Sequence, residues 1–108
     1  DLLGLISFAL RQAGYLVVEA QDGRAALAAF EAERPDLVIL DVNMPRLDGM
    51  EVLKRIRAGG HKTPIMMLTT VSDESKKREG QAAGAKAWLV KPFAPAQMLT
   101  AVMKLLPS

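Results

Sequence analysis

The stretch Leu37-Val38-Ile39-Leu40-Asp41-Val42-Asn43-Met44-Pro45 decides the fold. An unbroken apolar run from Leu37 to Leu40 suits a strand buried on both faces, as in a parallel sheet. Such a strand delivers its last residue to the carboxyl edge of the sheet, where open α/β folds place their ligands. Asp41 therefore stands where a carboxylate is costly to bury alone and useful if it reacts. Pro45 and the Asp48-Gly49 pair then enforce a loop before the next helix.

Two further strand ends complete the pattern. Pro64-Ile65-Met66-Met67-Leu68 runs into Thr69-Thr70, and Ala87-Trp88-Leu89-Val90 runs into Lys91-Pro92-Phe93. Three parallel strands then present a carboxylate, a hydroxyl and an ammonium at one edge. That set serves a phosphoryl group carried on a carboxylate. The Asp41 oxygen attacks phosphorus, a threonine hydroxyl donates to a phosphoryl oxygen, and Lys91 offsets the negative charge.

Around these strands the spacing predicts helices. Leu3, Ile6, Leu10 and Ala13 keep helical period, with Gly14 placed to end the helix. Tyr15 to Ala20 reads as a short strand closed by Asp22-Gly23. Ala25 to Glu33 is helical, with Leu27 and Phe30 inward. Met50 to Ala58 buries Val52, Leu53 and Ile56 before Gly59-Gly60 stops it. Ser72 or Asp73 caps a helix ending at Gly84. The last helix begins near Pro95 and buries Leu99, Val102 and Leu106, while Met98 and Met103 are assigned to its outer face. Ala94 makes a poor cap there. The expected order is four strands alternating with five helices, helix first.

The chain resembles a response-regulator receiver domain, most closely the single-domain chemotaxis (CheY-like) receivers. The resemblance is carried by Asp41-Val42-Asn43-Met44-Pro45 with Asp48-Gly49, Leu68-Thr69-Thr70, Gly84-Ala85 and Trp88-Leu89-Val90-Lys91-Pro92-Phe93. It implies a flavodoxin-like, doubly wound parallel sheet of strand order 2-1-3-4-5, the order known for this chemotaxis fold. It further implies Asp41 as phosphoacceptor, Thr69 as the phosphate-contacting switch hydroxyl and Lys91 as the phosphate-pairing lysine. Trp88 matches the aromatic switch position, and the Lys91-Pro92 bond is expected to be cis. Asn43 and Val71 match positions that tune the lifetime of the phosphorylated state.

One departure is large. A receiver begins with a strand ending in an acidic pair, and aligned on Gly14-Tyr15 that pair falls before Asp1. The first strand and its acids are thus expected to be missing from residues 1–108, which read as one receiver domain belonging to a longer chain. In the family Mg²⁺ bridges the acceptor aspartate, the acidic pair and a backbone carbonyl, here that of Asn43. Asp41 and Asn43 alone make a weak site, so poor metal affinity is expected.

The implied partners are a histidine kinase as phosphodonor and a downstream protein. The latter docks on the fourth helix, last strand and last helix, with a flagellar-motor switch as the suggested target. Open strand edges also imply self-association by strand pairing. Readings of other classes are a phosphorylation-independent pseudo-receiver and the receiver portion of a longer transcriptional regulator or hybrid kinase. A phosphatase that uses a nucleophilic aspartate needs a second acid two residues on, and Asn43 cannot transfer that proton. Lys76-Lys77-Arg78 reads as a solvated helix face, and His61 as an exposed loop residue with no phosphodonor role.

Composition agrees. Half of the 108 residues are hydrophobic, enough core for one domain, and a net charge of +2 argues for neither nucleic acid nor membrane. No cysteine is present, so disulfides and thiol chemistry are excluded. No segment approaches the length of a membrane-spanning helix or resembles a secretory signal, and a cytoplasmic location is expected.

Overall fold

A computed structural model describes residues 2–42, 48–70 and 74–106. Its sheet consists of β1 (Val38–Asp41), β2 (Ile65–Thr70) and β3 (Ala87–Lys91), all parallel, in the order β1-β2-β3. The helices are α1 (Leu2–Gln12), α2 (Gly23–Glu33), α3 (Gly49–Ala58), α4 (Glu74–Ala83) and α5 (Pro95–Leu105).

Alternation along β2 divides the interior into two layers. Met66 and Leu68 pack with Ile6 and Leu10 of α1 and with Met98 and Val102 of α5. Ile65 and Met67 pack on the other face with Phe30 of α2 and with Val52, Leu53 and Ile56 of α3. Ile65, Met66 and Met67 are all fully buried, as a central parallel strand requires. This is the helix-covered parallel sheet that the apolar runs predict.

Side-chain capping fixes two helix starts at residues that the sequence marks only as turns. The Asp22 carboxylate accepts from the Ala25 N–H at 2.9 Å, and that of Asp48 accepts from the Glu51 N–H at 2.9 Å. Gly14 and Gly84, at φ +96° and +107°, turn the chain after α1 and α4. Ala94 at the start of α5 makes no side-chain cap, as its residue type dictates. The expected caps Ser72 and Asp73 lie outside the described residues.

Three expectations are corrected. Tyr15–Ala20 forms no strand. Its period-two pattern survives, with Tyr15 and Val17 against the α1–α5 layer and Leu16 and Val18 exposed. Among the described residues it pairs with no strand, so its backbone has no ladder to join. The sheet therefore holds three strands among the described residues instead of four. Met98 is buried (1 % exposed), because it shares an inward face with Val102 at i, i+4; Met103 is exposed as expected. His61 is not a free loop residue either. Its ring stands edge-on to Phe30 with centroids 4.9 Å apart, and its Nδ1 lies 3.2 Å from an Arg34 guanidinium nitrogen.

One buried polar group has no such provision. Ser7 is 3 % exposed, and its hydroxyl has no hydrogen-bond partner among the described residues. Ser7→Ala should therefore raise stability by about 1 kcal/mol in urea unfolding. A loss of stability would reveal a partner for the hydroxyl.

Candidate functional site

The carboxyl edge of the sheet gathers the residues that the strand ends predict. Asp41 closes β1 and is in register with Leu68, which is in register with Leu89. Lys91 stands two residues beyond Leu89 and so shares the parity of Asp41. β2 lies between them, and two inter-strand spacings put their backbones roughly 10 Å apart. The long lysine side chain spans that gap across the end of β2. Its Nζ meets Asp41 Oδ2 at 2.5 Å, with the two side chains 22 % and 29 % exposed. The pair is half-sheltered and still open to an incoming group. The Lys91-Pro92 peptide is cis.

Thr69, at the end of β2, is 1 % exposed and in register with Val90. It has the parity of Met67, whose register partner is Trp88. Thr69 and Trp88 thus lie on one face of adjacent strands, one alternation apart. Trp88 is partly buried against the α2–α3 layer, as are Ala83 and Ala85. The structure brings Asp41 and Lys91 into direct contact, and sets Thr69 and Trp88 together at the opposite parity of the same sheet. Asn43 and Val71 lie outside the described residues.

Sequence reasoning underrated two residues. The sequence marks Gly49 as a loop signal and as part of the family resemblance, with no packing role. A Cβ there would stand 2.2 Å from the Asp41 carbonyl oxygen, and the Gly49 N–H donates to the Val42 carbonyl at 3.2 Å. Only glycine lets the first turn of α3 close onto the end of β1, so it fixes the backbone that carries Asp41. The adjacency of Asp48-Gly49 to a helix start was the available signal. Arg57 gave none. Its guanidinium donates to the Gly84 carbonyl at 2.9 and 3.2 Å and to the His61 carbonyl at 3.0 Å, tying α3 to the turn that enters β3. Partial burial holds its pKa below the usual guanidinium value.

Among the described residues no group of three or more His, Cys, Asp or Glu side chains is placed to hold a metal ion. Asp41 supplies one carboxylate, already paired with an ammonium. Mg²⁺ needs near-octahedral oxygen ligation, and this single group does not make a site for it.

Gly49→Ala should destabilise the protein by about 3 kcal/mol in urea unfolding, because the blocking atom is backbone and cannot swing aside. A cost within experimental error would show that α3 retreats freely from β1.

Comparison with known proteins gives one answer. The family described as "Response regulator receiver domain" matches residues 1–103. The alkaline phosphatase synthesis transcriptional regulatory protein PhoP of Bacillus subtilis is 40% identical over 106 residues, which are 98% of this chain and 44% of that protein. The chain thus spans less than half the length of that curated relative. Among solved structures, chemotaxis protein CheY4 of Vibrio cholerae superposes with a TM-score of 0.90 at 46% identity, covering 97% of this chain and 89% of that one. The receiver domain of sensor histidine kinase PA1611 from Pseudomonas aeruginosa, with a magnesium ion coordinated in its active site cleft, gives 0.86 at 31% identity, covering 97% and 88%. A family match over nearly the whole length, on a sheet edge that pairs Asp41 with Lys91, means that this chain belongs to the response-regulator receiver domain family.

Proposed function

We propose that Asp41 accepts a phosphoryl group from a histidine kinase, and that residues 1–108 act as one receiver unit in doing so. The observation that carries this is the Lys91–Asp41 contact of 2.5 Å at the carboxyl edge. An Asp41 oxygen attacks phosphorus, the bond from phosphorus to the donor imidazole nitrogen breaks, and an acyl phosphate forms. The Lys91 ammonium, already at the carboxylate, offsets the charge of the phosphoryl oxygens as they arrive. Thr69 is the hydroxyl that turns toward the new oxygens. Its movement frees space on the face it shares with Trp88, and the indole responds. The surface formed by α4, β3 and α5 changes with it, and that surface is read by a protein partner.

The similar receiver domain from Pseudomonas aeruginosa holds a magnesium ion in its active site cleft. In this chain the described acids leave it weakly held, and Asn43, whose carbonyl is the other proposed ligand, lies outside the described residues. Asn43 and Val71 are the positions proposed to tune how long the acyl phosphate survives.

For the output, likeness to a chemotaxis protein over most of both chains supports a chemotaxis role, with a flagellar-motor switch as target. Likeness to a transcriptional regulatory protein more than twice as long supports the second reading, the receiver portion of a longer regulator. Either reading supports a cytoplasmic location, alongside the kinase. No helix among the described residues is long and apolar enough to cross a membrane.

Intact mass after acetyl phosphate and Mg²⁺ tests the acceptor. One added phosphoryl group is expected in the native chain and none in Asp41→Asn, while Lys91→Ala is expected to react about 10²-fold more slowly. No adduct on the native chain would replace this reading with a phosphorylation-independent interaction module. A Mg²⁺ titration followed by Trp88 emission should give a weak response that does not saturate. Saturation at low concentration would point to further ligands.

A further inference from the structure

The attachment of α4 to the sheet is unlike that of the other helices. Its sequence, from Glu74 to Ala83, contains no large apolar residue, and Gly80 is its one buried position among the described residues. A glycine inside a helix costs about 1 kcal/mol relative to alanine, so it needs a packing reason. That reason stands on β3. A Cβ at Gly80 would lie 2.4 Å from Cζ3 of Trp88 and 3.3 Å from Cε3 and Cη2. The benzenoid edge of the indole rests on the backbone of α4, in the space that any side chain would take.

The other ties of α4 are peripheral. Lys54 of α3 pairs with Glu79 at 2.5 Å, but both side chains are nearly half exposed, and such surface pairs add little. Arg57 holds the Gly84 carbonyl, just beyond the end of the helix. Ala83 packs on the α2–α3 layer but offers only a methyl group.

We infer that Trp88, seated on Gly80, is the anchor of α4: the sheet holds the helix through one indole, instead of the helix burying an apolar face of its own. Gly80 is thus a positioning residue for the switch. Resting on the reading of Trp88 as the switch aromatic, the consequence is mechanical. The ring cannot leave its place without releasing α4, so movement at the phosphorylation site is converted into loosening of the helix that carries Lys76, Lys77 and Arg78.

Trp88 is the single tryptophan, so its emission reports the seat directly. In Gly80→Ala the new methyl group displaces the indole. A red shift of emission, stronger quenching by iodide, and amide exchange in α4 faster by about tenfold are expected, with β1 and β2 unchanged. Thermal unfolding supplies the partner test. Gly80→Ala should raise Tm by about 4 °C in a Trp88→Ala background, where helix preference acts without the clash, and should not raise it in the native background. Unaltered emission in Gly80→Ala, or the same Tm change in both backgrounds, would overturn the inference. The emission measurement needs only the single variant and stands even where Trp88→Ala does not fold. Acetyl phosphate that adds a phosphoryl group without moving native Trp88 emission would sink the switch reading alone, leaving the seat established.

Discussion

The Lys91 ammonium meets the Asp41 carboxylate across the end of an intervening strand, and much of the structure is arranged to permit that meeting. The two residues stand on strands that never touch, so their approach depends on the register of both ladders with β2. That register is held by a strand buried on both faces, where a one-residue slip would move every side chain of β2 into the wrong layer. The far side of the site depends on Gly49, which lets α3 close onto the Asp41 carbonyl. Ion pairing of this half-sheltered kind is weak evidence for stability. Its value is chemical: a cation already in place where negative charge will arrive.

The parts of the fold that proved legible were those where a residue's own chemistry settles its place. Leu37 to Leu40 could be read as a parallel strand because so short an apolar run bounded by turn residues suits one, although at the end of the described sheet only Leu40 of the run is fully buried. Asp22 and Asp48 were legible only as turn residues; that their side chains satisfy orphan N–H groups at helix starts is seen in the structure. Tyr15 to Ala20 shows the limit. Its alternation was read correctly, and Tyr15 and Val17 do face the core, yet alternation specifies only a face. A strand also needs a neighbour to bond with, and that information lies in other residues. Met98 and His61 were misplaced for a related reason. Each is ambivalent by type, and burial was decided by what the fold brought opposite: the sheet for Met98, the Phe30 ring for His61.

The candidate site was more legible than the machinery around it. Asp41 and Lys91 announce themselves as charged residues ending apolar strands, where a charge without purpose is expensive. Gly49 and Gly80 carry no such mark. Both act by what they lack, and the need for that lack appears only when a carbonyl or an indole is found occupying the space. Arg57 was illegible in the same way, since its acceptors are backbone carbonyls with no sequence signature.

These pieces set an energy scale for switching. A helix held by its own apolar face would cost several side-chain burials to release, more than contacts with one phosphoryl group supply. A helix held through a single half-buried indole on a glycine costs far less. A ligand moves an equilibrium only by its differential interaction with the two states, so the response must be cheap for a few new hydrogen bonds to drive it. The polar sequence of α4 and its glycine are therefore of a piece with the ammonium at Asp41. One end of the domain is preorganised to receive charge, and the other is attached lightly enough to feel it arrive. In between, Thr69 shares a face with Trp88 on neighbouring strands, and the proposed switch needs no more than that one hydroxyl and one ring to cross the sheet edge.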